Sequence, residues 1–261
     1  VGDERRKGKY STSQSIRFRR DGASAYLRYE PAKVGGVIMG DCGAFSYVRE
    51  HLPPYTIPDM FDYYMECGFT HAVSIDHVIL GYNKELDAPS LFPDAIPEDW
   101  LMRWNITLKM AEEFLPYCQK NGATFTPIGV AQGWSPNSYS EAVRRLVSMG
   151  YDYIALGGLV PLRVEQIHDV LKAVREVSPD VRIHLFGFTK ADQLEEFLPY
   201  KIESFDSTSP LLRAFKDQTK NYLAEDRWYT AIRVPHADES RQFKQDVLAG
   251  LKDQQRLRHQ E

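Results

Sequence analysis

Two aspartates have the side-chain type and the placement for nucleophilic and acid–base chemistry. Asp206 stands in the segment 202–210 and Asp41 in the segment 37–45, each directly after a short apolar stretch that is typical of a buried strand. Paired carboxylates on separate strand ends suit work on a glycosidic bond, because one can attack the sugar while the other handles a proton. Taken alone, each aspartate also fits a helix N-cap or a turn, and Pro210 favours a helix start near Asp206.

Further polar residues, glycines and aromatics follow the other predicted strands. They are Asp76, Gln132, Gly157, Gly158, Gly187, Phe45 and Phe186. An Asp accepts hydrogen bonds and a Gln amide both donates and accepts, so the two together suit the edge of a purine. Glycines let backbone groups approach a flat ligand, and aromatic rings suit its faces. Each residue alone is also explained as a loop cap or a core aromatic, so the whole set carries the prediction of a base-like ligand.

Alternating strand and helix patterns must position these residues. Six strand–helix units are clear, and one or two more stand at the chain ends. Such alternation indicates an α/β protein with parallel strands and helical crossovers. The count favours a closed (β/α)8 TIM-type barrel over an open doubly wound sheet, and barrel enzymes carry their chemistry at the C-terminal strand ends. No Gly-x-Gly-x-x-Gly or Walker-type loop follows a strand, which weighs against a nucleotide-cofactor fold.

The two chain ends give separate predictions. Alternating apolar residues on either side of Asp21-Gly22 predict an N-terminal β-hairpin over residues 15–29. We expect a flexible arm over about residues 1–12 and a helical tail over about residues 236–261. No internal linker is visible, so the sequence predicts a single domain over residues 1–261.

Composition narrows the class of protein. The 261 residues carry a net charge of −4, which weighs mildly against a dedicated nucleic-acid coat. No apolar run approaches about 18 residues, and the charged start does not resemble a signal peptide. Three cysteines without a Cys-x-x-Cys pair indicate a reducing cytoplasm and no thiolate zinc site. Because the strand-end histidines fit core or capping roles better than metal ligation, we expect no metal and no cofactor in the mouth. The three are His71, His77 and His184.

Six short segments, in order, resemble motifs of the tRNA-guanine transglycosylase superfamily. They are Gly40-Asp-Cys-Gly-Ala-Phe45, Ser74-Ile-Asp76, Gly129-Val-Ala-Gln-Gly133, Ala155-Leu-Gly-Gly-Leu159, His184-Leu-Phe-Gly187 and Ser204-Phe-Asp206. Each match is short, and the order of all six over about residues 36–210 makes the resemblance specific.

The resemblance implies a role for each candidate residue. Asp206 would be the nucleophile at C1′ of the sugar, and Asp41 would be the general acid/base for the departing and incoming bases. The base edge would be read by Asp76, Gln132, Gly158 and Leu159. Gly157 and Gly187 would also bind the substrate, and Phe45 and Phe186 would stack on the base. A covalent glycosyl-enzyme resolved by a second base gives exchange with retention.

The chain also departs from the tRNA-acting pattern. Val78 and Ser46 stand where that pattern has Cys and Gln, and the terminal Cys-x-Cys-x-x-Cys zinc site is not present in this sequence. These departures favour the DpdA branch, which inserts a 7-deazaguanine into DNA. The expected partners are DNA (alternatively tRNA), the free 7-deazaguanine base, accessory modification proteins and a second copy of the chain. A tRNA exchanger, a catalytically silent nucleic-acid-binding subunit and a hydrolase that excises guanine stay open as alternatives.

Overall fold

The computed structural model describes residues 11–87, 95–217, 219–225 and 227–231, together with residues 245 and 249. The chain divides into two compact units, residues 1–207 and residues 208–261. The prediction of one domain over the whole chain therefore stays a prediction. Most of the predicted arm and of the predicted helical tail lies outside the described residues.

The first unit alternates strands with helices. Its strands are β1 (Met39–Gly40), β2 (His71–Val73), β3 (Thr126–Ala131), β4 (Tyr153–Leu156), β5 (Arg182–Leu185) and β6 (Ser204–Phe205). Its α-helices are α1 (Thr12–Leu27), α2 (Pro31–Val34), α3 (Ile57–Cys67), α4 (Glu98–Lys120), α5 (Pro136–Met149) and α6 (Val164–Val177). Short 3₁₀ segments span Ala44–Tyr47, Lys84–Asp87 and Ala191–Tyr200. The second unit contains helix α7 (Ser209–Lys216) and strands β7 (Tyr222–Ala224) and β8 (Arg227–Tyr229).

The six strands of the first unit form one parallel sheet in the order β1-β2-β3-β4-β5-β6. The sheet curls into a half-barrel, which confirms the α/β class and the parallel strands with helical crossovers. The prediction of eight parallel strands is not met within the described residues. Instead, β7 and β8 pair antiparallel. Only residues 225 and 226 separate β7 from β8, and a connection that short permits an antiparallel hairpin but not a parallel crossover.

The predicted N-terminal hairpin is wrong, because residues 12–27 form helix α1. Ser11 caps this helix in a capping box with Gln14, and such local hydrogen bonds favour a helix over a strand pair. The Asp21-Gly22 signal, interpreted as a hairpin turn, is a kink at which Gly22 takes φ +78°. The hairpin of the molecule is therefore C-terminal and consists of β7 and β8.

Capping boxes begin helices α3 and α5 of the first unit. Thr56 and Asp59 form the capping box at the start of α3, and Gly68 ends the helix with φ +66°.

The central strands are buried on both faces. In β4, Ile154 and Leu156 pack in one apolar cluster, whereas Tyr153 and Ala155 pack in the other. Side chains alternate between the faces of a strand, so the sheet has a layer of core on each side. This packing fixes the strand ends, and with them the loops that carry the candidate site.

Candidate active site

Parallel strands place the candidate residues at one edge of the sheet. Asp41 follows β1 directly, Gln132 follows β3, Gly157 follows β4, Phe186 follows β5 and Asp206 follows β6. Asp76 stands three residues after β2. All six lie at carboxyl ends of strands, the edge at which barrel proteins hold their active sites.

Asp76 is the buried acceptor of a small hydrogen-bond network. Its side chain is only 3% exposed. The thiol of Cys42 donates to Oδ1 at 2.9 Å, and Nε2 of Gln132 donates to Oδ2 at 2.6 Å. The hydroxyl of Tyr47 donates to the backbone carbonyl of Asp76 at 2.8 Å. Residues from two other strand ends therefore hold the carboxyl group, and a residue of the 3₁₀ segment holds the backbone of Asp76.

Burial raises the pKa of Asp76 to about 7. The neighbouring Asp41 carboxylate raises it further, whereas the hydrogen bonds from Cys42 and Gln132 lower it. Burial also raises the pKa of the Cys42 thiol well above its usual range, so that the group stays an S–H donor. With a pKa of about 7, the carboxyl group of Asp76 changes its protonation state near neutral pH, and its ionised form can accept N–H donors.

Two glycines leave the space into which Gln132 extends. A Cβ at Gly157 would lie 2.1 Å from Nε2 of Gln132. At Gly158, which has φ +73°, a Cβ would lie 2.4 Å from the carbonyl oxygen of Ile79. Oε1 of Gln132 accepts from the backbone N–H of Ile79 at 3.2 Å, so the orientation of its amide is fixed. The Gly-Gly pair is required by this close packing.

Leu159 and Tyr139 complete the wall beside the glycines. Leu159 is buried at 2% exposure and belongs to the apolar cluster that contains α5. Tyr139 donates its hydroxyl to the carbonyl oxygen of Gly157 at 2.7 Å. Backbone groups of the Gly-Gly segment are thereby held in place at the site.

Asp206 presents its carboxylate to solvent while its backbone is fixed. The side chain is 55% exposed. Its backbone N–H donates to Leu185 at 3.2 Å, and its carbonyl oxygen accepts from Phe188 at 2.9 Å. The N–H of Gly187 donates to Oδ1 at 2.8 Å, and Nε2 of His184 lies 3.5 Å from the same atom. These contacts place Gly187 against the candidate nucleophile.

The two catalytic candidates have pKa values displaced in opposite directions. Partial burial raises the pKa of Asp206, but the contacts from His184 and Gly187 outweigh it and leave the pKa below its usual value. Asp41 is accessible to solvent, yet the protein around its carboxyl group desolvates it and raises its pKa. The charge of Asp206 raises the pKa of Asp41 further, and the N–H of Gly43 lowers it. Shifts in these directions favour the anion at Asp206 and the protonated form at Asp41.

The two phenylalanines do not form a sandwich among the described contacts. Phe45 is 58% exposed on the 3₁₀ segment after Asp41. Phe186 is half-buried and packs edge-on against His184, with ring centroids 4.8 Å apart. Stacking of a base between the two rings stays a prediction.

The three histidines have protein contacts. His71 contacts the hydroxyl of Thr70 at 3.1 Å. His77 lies between the carbonyl oxygen of Glu50 at 2.7 Å and the guanidinium of Arg103 at 2.8 Å. The described part of the chain contains no group of three His, Cys, Asp or Glu side chains that could hold a metal ion. It also contains no helix of the length and apolarity needed to cross a membrane.

Sequence reasoning missed three residues of the site. Cys42 donates to Asp76, Tyr139 holds Gly157, and His184 contacts Asp206. Cys42 and His184 stand inside the motif segments, and this position in the sequence could have identified them as site residues. Tyr139 lies in a helix whose pattern gave no such signal.

Comparison with known proteins gives two informative relatives. The chain is 37% identical over 257 residues to a DNA-guanine transglycosylase of Salmonella montevideo, covering 98% of this chain and 60% of that protein. It is 25% identical over 217 residues to a tRNA-guanine(15) transglycosylase of Pyrococcus abyssi (strain GE5 / Orsay), covering 80% of this chain and 32% of that protein. The chain thus spans less than two thirds of the length of these curated relatives. No family model matches it.

Proposed function

The chain belongs to the guanine transglycosylase superfamily, and from this premise we propose that it exchanges guanine in DNA for a 7-deazaguanine of the 7-cyano-7-deazaguanine type. The observation that carries the proposal is the 37% identity to a DNA-guanine transglycosylase over 98% of the chain. The lowered pKa of Asp206 and the raised pKa of Asp41 support the same chemistry. We place this pentosyl transfer in the cytoplasm.

In the first half of the reaction, Asp206 displaces guanine. One carboxylate oxygen forms a bond to C1′ of the deoxyribose while the C1′–N9 bond breaks. The electron pair of the broken bond leaves with guanine, and Asp41 supplies the proton that neutralises the departing base. The burial that raises the pKa of Asp41 favours its protonated form and so suits it to this role.

In the second half, the incoming base takes the place of guanine. Its N9 attacks C1′, the ester bond to Asp206 breaks, and the N9 proton passes to Asp41. Both carboxyl groups return to their starting states, and two inversions at C1′ give retention. A target base in duplex DNA must leave its stack to reach this mouth.

The base edge is read by the buried network around Asp76. In the ionised form, its carboxylate accepts N–H groups of guanine in exchange for the contacts with Cys42 and Gln132. The amide of Gln132 and backbone groups of Gly157, Gly158 and Leu159 supply further donors and acceptors. Base reading by these residues and stacking by Phe45 and Phe186 form part of the proposal.

A second candidate function is exchange on tRNA, which the similarity to a tRNA-guanine(15) transglycosylase favours. A silent nucleic-acid-binding subunit and a guanine-excising hydrolase are further alternatives, and both carboxylates being present speaks against the silent subunit. Accessory modification proteins and a second copy of the chain are proposed partners.

The decisive experiment is a base-exchange assay. Purified protein is incubated with 7-cyano-7-deazaguanine and either duplex DNA or unmodified tRNA, and the digested nucleosides are analysed by mass spectrometry. Asp206→Asn tests the nucleophile, and Asp62→Asn, an exposed aspartate on α3, is the matched control. We expect a modified deoxynucleoside with the wild type and the control and none with Asp206→Asn.

The other outcomes separate the alternatives. A modified ribonucleoside in tRNA would assign the chain to tRNA exchange. Release of guanine without an incoming base would indicate a hydrolase. No reaction on either nucleic acid would refute the proposal for this chain by itself and favour a silent subunit.

A further inference from the structure

His184 is a buried imidazole aimed at the candidate nucleophile. It is the third residue of β5 and is only 4% exposed. Its Nε2 is buried and has no hydrogen-bond partner within normal distance among the described residues. The nearest carboxylate atom is Oδ1 of Asp206 at 3.5 Å, at the outer limit of a hydrogen bond. A buried nitrogen without a hydrogen bond lowers the stability of the folded protein, which points to a functional reason for this position of Nε2.

The other ring nitrogen is held by a chain of hydroxyl groups. Nδ1 of His184 lies 2.6 Å from Oγ of Ser204, and that oxygen lies 2.7 Å from the hydroxyl of Tyr153. In a neutral imidazole only one nitrogen carries a proton. If Tyr153 donates to Ser204 and Ser204 donates to Nδ1, the proton stands on Nε2 and faces the carboxylate.

We propose that His184 is a positioning residue that orients Asp206 for attack on the sugar, an inference that rests on the proposed function. Its Nε2–H and the N–H of Gly187 converge on Oδ1. Oδ2 is the other oxygen of the carboxylate, and we assign to it the attack on C1′. Ser204 and Tyr153 act through His184 by fixing which ring nitrogen carries the proton.

The same contact serves both halves of the reaction. When Oδ2 is esterified, Oδ1 is a carbonyl oxygen without a full charge. When the ester breaks, negative charge returns to the carboxylate, and the two N–H donors are already in place to stabilise it. His184 and Asp41 are titratable groups that interact electrostatically with Asp206. The two N–H donors favour the anion of Asp206, and that anion raises the pKa of Asp41.

Two amide substitutions separate the role of each ring nitrogen. The side-chain nitrogen of glutamine reaches the place of Nε2, whereas that of asparagine reaches the place of Nδ1. His184→Asn keeps a group beside Ser204 and loses the donor to Asp206. His184→Gln keeps a donor to Asp206.

The first readout is the steady-state kinetics of base exchange on DNA. We expect His184→Asn to lower kcat about tenfold, the rate equivalent of one lost hydrogen bond, with KM for DNA and for the base unchanged. The acid limb of its kcat profile is expected to move to higher pH, because Asp206 loses a contact that lowers its pKa. His184→Gln is expected to restore most of kcat and the wild-type limb. An unchanged kcat and acid limb in His184→Asn would overturn the proposal.

The second readout does not depend on activity. In labelled wild-type protein, nitrogen NMR is expected to place the ring proton of neutral His184 on Nε2, and carbon NMR is expected to show a higher pKa for Asp206 in His184→Asn. A proton on Nδ1, or an Asp206 titration that does not respond, would refute the positioning role. If the wild type exchanges no base but these spectra agree with expectation, the proposed function fails and the hydrogen-bond assignment stands. The wild-type spectrum decides the tautomer even if a variant does not fold.

Discussion

Replacing Asp76 by asparagine is expected to stabilise the protein at alkaline pH while removing its ability to bind a base. Asparagine has nearly the shape of aspartate. Its oxygen can still accept from Nε2 of Gln132, and its amide can donate to the sulfur of Cys42. The substitution therefore removes a buried charge and leaves most of the hydrogen bonds.

The magnitude follows from the pKa of Asp76, which burial raises from an ordinary 3.8 to about 7. At a pH between these two pKa values, Asp76 is protonated in the folded protein and ionised in the unfolded chain. The free energy of unfolding of the wild type therefore falls as pH rises through this window, by about 1.4 kcal/mol per pH unit. About three units give a total of ~4 kcal/mol, of which ~3 kcal/mol develops between pH 5 and pH 8. The asparagine variant lacks this contribution.

Urea unfolding at pH 5 and pH 8 measures the effect. We expect the stability difference between Asp76→Asn and wild type to be ~3 kcal/mol more favourable to the variant at pH 8 than at pH 5. Asp62→Asn, on the surface of α3, is the matched control and is expected to show no comparable change. A difference that is equal at the two pH values would refute the reasoning, because it would mean that Asp76 is ionised or neutral in both states alike.

Three further predictions concern single residues. Asp41→Asn is expected to lower the rate of base exchange at least a hundredfold. We expect wild type to lose activity as pH rises through the raised pKa of Asp41, and we expect the variant to lack this pH dependence in a kcat/KM profile. Gly158→Ala, where a Cβ meets the carbonyl of Ile79 at 2.4 Å, is expected to lower the melting temperature more than Gly68→Ala, which has a similar φ and open space; equal effects would contradict the packing argument. Thr56→Ala removes the cap of α3 and is expected to cost about 1 kcal/mol in urea unfolding.

The sequence predicted the placement of the candidate residues better than their contacts. Apolar runs followed by Asp41, Asp76 or Asp206 are local signals, and parallel strands convert them into one edge of a sheet. The hydrogen bond from Cys42 to Asp76 joins residues 34 positions apart. The sequence around Cys42 does not indicate which residue accepts a hydrogen bond from its thiol. Contacts of this kind depend on the sheet register, which pairs Met39 with His71 and is not encoded in either segment alone.

The wrong predictions about the fold came from local sequence patterns that are compatible with more than one structure. The apolar alternation around Asp21-Gly22 predicts a hairpin, yet Ile16 of this pattern is 54% exposed on helix α1. The capping box at Ser11 decided the outcome there. The expected count of strands failed for another reason, because β7 and β8, the described strands of the second unit, pair antiparallel in a hairpin.

The order of the sheet has a mechanical consequence for the candidate site. Asp41 follows β1 and Asp206 follows β6, so the candidate acid and the candidate nucleophile stand at the two outermost of six consecutive strands, yet the two groups interact electrostatically. Their separation is therefore not set by any one loop but depends on the rotations between all five pairs of neighbouring strands. A substitution in the middle of the sheet that changes its twist would widen or narrow the gap between the two carboxyl groups without touching either. Under the proposed function, the rate of base exchange would then depend on the curvature of the whole sheet.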